Sequence, residues 1–267
     1  MIQAEHAQSE RMRAALAEEP PATRDHWQPY ANMFQADPHR TDDAILNRLR
    51  QEIQPHHTVI DVGAGGGRMA LPLALCCRQV VAVEPSPSMG EVLLRQTAEY
   101  SIDNVSLVSA TWEDAQVEPA DLALCCNVLY TIQEIGYFLD KLEAHAGEQV
   151  LVVMYNAPPQ SQIYPLWEEI HGEERLALPS LPQFEQVLAE MGIDAKIDAL
   201  PPRDGYGFDS LEQAAQQLSR RLYLPEASDK QAKLVEILTQ RLEEIQGKLR
   251  VRGDVPLVPA LISWQPQ

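Results

Sequence analysis

The chain has 267 residues, is 45% apolar and carries a formal net charge of −18. This length is sufficient for one large α/β domain with additions or for two small domains. The negative charge disfavours nucleic acid as a partner, since binding to phosphate backbones depends largely on Lys and Arg. No apolar run approaches the ~20 residues that span a bilayer, and residues 1–25 lack the apolar segment of a secretory signal. We therefore expect a cytoplasmic protein without nucleic-acid or membrane partners.

Residues 1–55 are predicted to form a helical lead that serves as part of a cap. We expect a mobile or loosely helical stretch up to about residue 24. A short helix should follow, because four large side chains recur at helical spacing: Trp27, Tyr30, Met33 and Phe34. Thr41 is the expected N-cap of a second helix, with Asp42 and Asp43 in its first turn.

Residues 56–204 alternate strand and helix patterns, which is typical of a parallel sheet with helices on both faces. The first five strands are short apolar runs, as expected when both faces are buried. We place them at residues 58–62, 79–83, 105–109, 122–126 and 149–155. A sixth strand, 193–200, alternates apolar and polar residues and should lie near a sheet edge. Ser86 and Pro87 have the chemistry of a helix start, whereas Pro72 requires the helix after the first strand to begin late or to kink.

Residues 205–254 are predicted to be a helical insertion between the last two strands. Apolar residues recur at helical spacing from Leu211 to Leu249, and Ser210 with Gln213 has capping-box spacing. The insertion could cover a binding site or form a dimer interface, so both a monomer and a homodimer stay open.

The most informative stretch follows the first strand and reads Asp61-Val-Gly63-Ala-Gly65-Gly-Gly67-Arg68. Its glycines alternate, whereas a dinucleotide-binding turn has G-x-G-x-x-G, and Arg68 stands where that motif has its third glycine. No Gly-Lys-Ser/Thr follows, which excludes a P-loop. An acid beside the loop would repel phosphate, but it suits a ligand that carries an ammonium group.

This pattern, D/E-x-G-x-G-x-G, resembles class I S-adenosylmethionine (SAM)-dependent methyltransferases over residues 56–155, and more weakly towards the C-terminus. The resemblance implies an α/β fold with a doubly wound, seven-stranded and mostly parallel sheet, whose last strand lies within residues 255–267. The N-terminal helices and the insertion would then form a cap. The resemblance also implies SAM as the cofactor.

The resemblance places cofactor contacts at the carboxyl ends of successive strands, where α/β sheets bind ligands. The methionine portion of SAM would be held by Asp61, Gly63, Ala64, Gly65 and Gly67. Glu84 ends the second strand, and its carboxylate could accept hydrogen bonds from both ribose hydroxyls. The remaining implied contacts are Pro85, Ser86 and Met89 beside the adenosine, Thr111 and Trp112 at the adenine, and Asn127. Thr111 stands where the family commonly has an acid, so the adenine contacts depart from its pattern.

The acceptor side of the site is less well defined. The sequence Asn127-Val-Leu-Tyr130 is not the Asn/Asp-Pro-Pro-Tyr/Phe motif of enzymes that methylate exocyclic amines. Trp27, Tyr30 and Tyr130 are predicted to contact a small-molecule acceptor. The catalytic base is unknown, and the side chains weighed for that role are His26, Tyr30, Glu113, Tyr130 and His171. His56 and His57 fall at the opposite end of the sheet, and we expect no metal site there.

Four hypotheses of function follow. The leading one is methyl transfer from SAM to a small-molecule acceptor by in-line displacement. A SAM-binding protein without catalysis, acting as a regulatory or partner subunit, would use the same binding residues. Aminopropyl transfer would need an acidic polyamine pocket, and Asn127 stands where an Asp pair is expected. Methylation of a protein is less disfavoured by the net charge than methylation of nucleic acid.

Overall fold

The structure, a computed structural model, describes residues 1–14, 25–28, 30–202, 207–254 and 256–267. Its strands are β1 (Thr58–Val62), β2 (Gln79–Val83), β3 (Val105–Val108), β4 (Ala120–Cys126), β5 (Ala146–Tyr155), β6 (Lys196–Ala199), β7 (Leu242–Ile245), β8 (Lys248–Val251) and β9 (Pro259–Trp264). All except β7 and β8 form one seven-stranded sheet in the order β3-β2-β1-β4-β5-β9-β6. The strands β1 to β5 are parallel, and β9 runs antiparallel to both of its neighbours. The predicted seven-stranded, mostly parallel sheet is confirmed, with the sixth strand at an edge.

Helices cover both faces of this sheet. They are α1 (Ile2–Ala14), α2 (Ala44–Leu49), α3 (Ala70–Ala74), α4 (Pro87–Glu99), α5 (Ile135–His145), α6 (Tyr164–His171), α7 (Leu181–Met191), α8 (Leu211–Arg221) and α9 (Asp229–Arg241). One apolar core lies between the sheet and α5 and α7, and a second lies between the sheet and α2, α3 and α4. Within the described ranges, no helix combines the length and the apolar character that crossing a bilayer requires.

The strand register brings the ends of three strands together. Val62 at the end of β1 is paired with Val83 of β2 on one side and with Cys125 of β4 on the other. The loops that follow these strands therefore lie side by side at the carboxyl edge of the sheet, as in other parallel α/β sheets that bind ligands there.

Two helix starts were predicted correctly. Ser86 is the N-cap of α4, and its side chain accepts a hydrogen bond from the Met89 N–H. The helix after β1 begins late, at Ala70, so Pro72 falls in its first turn, where a missing N–H breaks no helical hydrogen bond.

Two details of the N-terminal prediction were wrong. The N-cap of α2 is Asp43 rather than Thr41, because the Asp43 carboxylate accepts hydrogen bonds from two N–H groups of the first turn. The aromatic stretch is not a regular helix: residues 26–28 form a turn, and only Ala31–Phe34 form a single turn of 3-10 helix. Helical spacing alone could not distinguish these conformations over so few residues.

The insertion is only partly helical. The prediction of α8 and α9 is confirmed, but the apolar residues after α9 form the hairpin β7–β8 instead of more helix. The reason lies in the turn, where Gln246 and Gly247 both have positive φ angles of 52° and 76°. Such a two-residue turn matches the twist of a hairpin and ends a helix. The two helices share a third apolar core with α6.

The first helix is docked rather than loose. Its buried Glu5 forms an ion pair with Arg175, and Arg175 also donates to Ser9 (2.8 Å) and Gln8 (2.6 Å). The Arg175 guanidinium lies over the Trp167 ring, 4.4 Å from its centroid. The expectation of a mobile or loosely helical lead is therefore wrong for residues 2–14, and residues 15–24 lie outside the described part.

Candidate functional site

The glycine loop follows β1 in a left-handed backbone conformation, with φ angles of 72° at Gly63, 55° at Gly65 and 89° at Gly67. Gly63 is required by packing, because a Cβ there would lie 2.4 Å from a methyl carbon of Val128. At Gly65, by contrast, no described atom lies within 4 Å of the position that a Cβ would take. The loop therefore presents open space at Gly65 to a ligand that approaches the backbone.

Asp61 is a buried carboxylate beneath this loop, with 1% of its surface exposed. It accepts a hydrogen bond from the Ala70 N–H, but its Oδ2 has no hydrogen-bond partner among the described residues. Burial, followed by the nearby Glu84, raises the pKa of Asp61 to about 7. An unpartnered buried carboxylate oxygen is costly, and an ammonium group of a ligand would satisfy it.

Glu84 directly follows β2 and joins the glycine loop to α4. Its Oε2 accepts from the Gly65 N–H and its Oε1 from the Ser86 N–H, each at 2.8 Å. It is 6% exposed, and burial raises its pKa above the usual value. Each carboxylate oxygen has a second lone pair, so Glu84 could accept further hydrogen bonds from a pair of ligand hydroxyls.

Residues 25–28 and 30–36 cover the β1–β2 side of the site, and sequence reasoning missed how they are attached. The Asp25 carboxylate accepts hydrogen bonds from the Ser86 hydroxyl and the Ser88 N–H, both at 2.9 Å. The Cβ of Phe34 lies 3.5 Å from the position that a Cβ on Gly66 would take. In the sequence, the only indication of this contact is the predicted start of α4, whose Ser86 hydroxyl and free N–H groups can donate hydrogen bonds to a carboxylate.

Gln96 on α4 ties the same segment to the glycine loop. Its side-chain amide donates to the Gly66 carbonyl (2.7 Å) and accepts from the Ala36 N–H (3.3 Å). Gln96 is buried, so these hydrogen bonds are protected from water. The spacing of α4 gave no indication of this role, because a glutamine on a helix face usually faces solvent.

A second network that sequence reasoning missed lies beside the loop. Asp43 forms ion pairs with Arg68 (2.7 Å) and with Arg40 (3.1 Å), and Arg40 also donates to the Arg68 carbonyl (2.8 Å). The three side chains are partly buried, and their charges sum to +1. They fix the start of the chain segment that leads from the glycine loop into α3.

The predicted adenine contacts are used mainly in packing. Trp112 is 3% exposed, and its indole N–H donates to the Phe138 carbonyl at 3.2 Å. Lys141 lies over its ring at 4.9 Å from the centroid. The Thr111 hydroxyl is paired with Asp114 at 3.0 Å. The adenine assignment of Thr111 and Trp112 stays a prediction. Because the Trp112 ring is buried in packing, the predicted contact of this residue is with its backbone amide.

In the loop after β4, the polar side chains form hydrogen bonds with each other. Asn127 adopts a left-handed conformation with φ of 60°, and its side-chain oxygen accepts from the Tyr130 hydroxyl at 3.1 Å. That hydroxyl in turn accepts from the Tyr155 N–H at 2.8 Å. Burial raises the pKa of Tyr130, so its phenol stays neutral.

The other side chains weighed as a base lie in different surroundings. His171 on α6 contacts the Leu222 carbonyl (2.8 Å) in the insertion, and His26 packs against Trp27 and Tyr30. Trp27 is 41% exposed. His26 and His171 therefore lie in different surroundings and do not form one catalytic arrangement with each other. The acceptor assignments of Trp27, Tyr30 and Tyr130 stay predictions.

His56, His57 and Glu148 form a cluster at the opposite end of the sheet, with one possible ligand atom from each within 4.8 Å of the others. His57 accepts the Gln54 N–H at its Nδ1 (3.1 Å), so its Nε2 carries the proton and faces Glu148 at 3.3 Å. A metal ion at Nε2 would have to displace that proton while Nδ1 remains an acceptor, which is unfavourable for a histidine ligand.

Comparison with known protein families decides the class. A family profile described as "Methyltransferase domain" matches residues 33–194, which is more than half of the chain. The chain belongs to this methyltransferase family. The matched region contains the glycine loop, Glu84 and the loop after β4, so the family resemblance and the site geometry concern the same residues.

Two curated relatives match shorter segments of this chain. One is a probable ribosomal RNA small subunit methyltransferase A from Methanosphaera stadtmanae, 30% identical over 69 residues, with 25% of this chain and 26% of the relative covered. The other is a ubiquinone biosynthesis O-methyltransferase from Rickettsia felis, 26% identical over 114 residues, with 40% and 46% covered. The matches thus span less than half the length of either relative.

Among solved structures, the chain is similar to magnesium protoporphyrin IX methyltransferase from Synechocystis with bound S-adenosylhomocysteine (SAH). The TM-score is 0.50 at 15% sequence identity, with 70% of this chain and 83% of that chain covered. At this identity the similarity concerns the fold alone.

Proposed function

We propose that this protein is a SAM-dependent methyltransferase that acts on a small-molecule acceptor. The observation that carries the proposal is the unpartnered Oδ2 of buried Asp61, the β1 residue two positions before the glycine loop begins. Burial raises the pKa of both Asp61 and Glu84, and the charge of Glu84 raises that of Asp61 further. A ligand that supplies positive charge and hydrogen-bond donors would stabilise both carboxylates in their ionised form. SAM carries an ammonium group, a sulfonium centre and two ribose hydroxyls, which is the matching set.

Each side chain has a proposed task. Asp61 would accept the ammonium group of the methionine portion, and Glu84 the ribose hydroxyls through its remaining lone pairs. Gly65 would leave room for the ligand against the backbone. Asp25 and Phe34 would keep water out, because they hold residues 25–28 and 30–36 against α4 and the glycine loop.

SAM, when bound, supplies a methyl carbon that is already electrophilic. The residues of this protein therefore need to position the donor, exclude water and align the acceptor, which are the contributions that positioning makes to such reactions. Tyr130 is suited to orient Asn127 rather than to remove a proton, since burial raises its pKa. We assign no catalytic base.

A second candidate is a SAM-binding protein without catalysis. It is supported by the saturation of the polar groups after β4, where the Asn127 oxygen, the Tyr130 hydroxyl and the Tyr155 N–H bond to one another. Such a protein would bind SAM equally well and release no product.

The test is a SAM-binding titration together with mass-spectrometric detection of SAH across a panel of small acceptors. We expect wild type to bind SAM and to release SAH with at least one acceptor. Glu84→Gln should bind SAM about tenfold more weakly, because one charged acceptor is lost. Asp140→Asn, on the exposed face of α5, is the matched control and should bind as wild type does. Absence of SAM binding to wild type would refute the proposal, and binding without turnover would favour the second candidate.

A further inference from the structure

A cavity of about 410 Å³ opens beside the cofactor side of the molecule, between the first residues of α1, the loop after β4 and helix α7. Its apolar wall includes Ile2, Leu129, Ile132, Met154, Phe184 and Val187. A cavity of this size is within the range of small-molecule sites, about 300 to 1,000 Å³. None of its lining residues comes from the insertion 205–254, so among described residues the wall on the N-terminal side is α1.

The cavity lies at the same edge of the sheet as the glycine loop. Leu129 in its wall directly follows Val128, whose side chain faces Gly63. Met154 in its wall is at the end of β5, and β5 is the neighbour of β4, which in turn is the neighbour of β1. Adjacent strands are about 4.8 Å apart, so the ends of β1 and β5 are separated by about 10 Å.

The charge of the wall restricts what could bind there. Among the described residues that line the cavity there is no Lys, Arg or His side chain, and Glu134 is the one acidic side chain. Several polar groups of the rim already bond to each other: Gln3 donates to Gln133 (3.1 Å), and Ser180 donates to Gln183 (3.2 Å). A bound phosphate or carboxylate would therefore be desolvated with no cationic side chain to pair with. The amino group of Met1 belongs to a residue that is 70% exposed, where water screens the charge, so an anion would gain little from it.

We propose that this cavity binds the methyl acceptor, and that the acceptor is a small apolar molecule without a phosphate or carboxylate group. The proposal rests on the methyltransferase function proposed above, since only that function requires a second ligand at this edge. It assigns a site and a charge class to the acceptor.

The wall formed by α1 depends on the docking of that helix. Ile2 and Gln3 reach the cavity only while α1 stays docked, and the Glu5–Arg175 ion pair lies one turn further along that helix. Acceptor binding and docking of α1 should therefore strengthen each other, because a ligand that binds only the docked state stabilises it.

The experiment compares two fluorescent probes that share one ring system, neutral N-phenyl-1-naphthylamine and its sulfonated analogue 8-anilino-1-naphthalenesulfonate, with saturating SAH present. We expect the neutral probe to bind at least about tenfold more tightly than the sulfonate. Val187→Trp, which fills the cavity from α7, should weaken the neutral probe by at least about tenfold. Val235→Trp, on the exposed face of α9, is the matched control and should have no effect.

Ile132→Trp fills the cavity from the opposite wall and should reproduce the loss if Val187→Trp folds poorly. Equal binding of the two probes, or neutral-probe binding that survives both cavity-filling variants, would overturn the proposal. The SAM affinity of both variants should match wild type. Loss of probe binding with intact SAM binding therefore tests the cavity alone, whereas failure of wild type to bind SAM would concern the proposed function.

Discussion

Two neighbouring parts of the sheet edge differ sharply in chemistry. At the ends of β1 and β2, two buried carboxylates lie within reach of each other, and one oxygen of Asp61 has no partner among the described residues. At the ends of β4 and β5, the cavity is mostly apolar, and its polar rim groups bond to each other. In our proposals the first part binds a cationic ligand and the second an apolar one. A cationic methyl donor and an uncharged methyl acceptor would then bind at separate places along this edge.

The largest expected effect concerns the wall of the apolar part. Arg175→Met removes one partner of the buried Glu5–Arg175 pair, and leaving Glu5 buried and unpaired should cost about 3 to 5 kcal/mol of the docking free energy of α1. Hydrogen exchange of the α1 amides should report this loss as faster exchange. Arg11→Met breaks an exposed ion pair with Glu173 and should cost less than about 1 kcal/mol. Equal protection of α1 in the two variants would contradict the role of Arg175.

The next prediction distinguishes the roles of two glycines in the loop after β1, which belongs to the part with the two buried carboxylates. Gly65→Arg places a long side chain in the open space of the loop and should reduce SAM affinity by about 100-fold or more in a titration. Gly63→Ala instead collides with Val128, so it should lower the midpoint of thermal unfolding. If Gly65→Arg retained wild-type SAM affinity, the ligand would not approach the loop at Gly65.

A third effect, on stability rather than on binding, follows from the pKa of Asp61. Burial raises this pKa to about 7, while the unfolded chain keeps a value near 3.9, so the folded state binds the proton more tightly. Asp61 therefore destabilises the ligand-free protein increasingly as pH rises from about 4 to about 7. Asp61→Asn without SAM should unfold at a higher temperature than wild type at pH ~8, and the difference should shrink towards pH ~5. A constant difference across this range would exclude a raised pKa.

The sequence predicted the charged part of the edge better than the apolar part. Alternating glycines after a strand, Asp61 within that strand and Glu84 one strand later are local patterns, and the sheet register brings them together as expected. The cavity combines the first residues of α1, a loop after β4 and helix α7, which are far apart in sequence. No local pattern encodes such a meeting, because it depends on how α1 docks.

The misjudged elements have related causes. The apolar residues after α9 fit helical spacing, but the left-handed turn at Gln246 and Gly247 favours a hairpin. Thr41 and Asp43 can both cap a helix, and only the hydrogen bonds of Asp43 decide between them. Glu84 was read as a ligand contact alone, yet it also accepts from Gly65 and Ser86, so its removal should loosen the loop as well as weaken binding. Glu84→Gln is for that reason a better test than Glu84→Ala.

The most direct test is calorimetric titration of SAM near pH 6.5, in two buffers that differ in ionisation enthalpy, for wild type and Asp61→Asn. Asp61 is largely protonated at this pH before binding, and pairing with an ammonium group should remove its proton. We predict net proton release from wild type, no such release from Asp61→Asn, and a SAM affinity about tenfold or more lower in the variant. Equal proton exchange and equal affinity in the two proteins would contradict the assignment of Asp61 to the ammonium group of SAM.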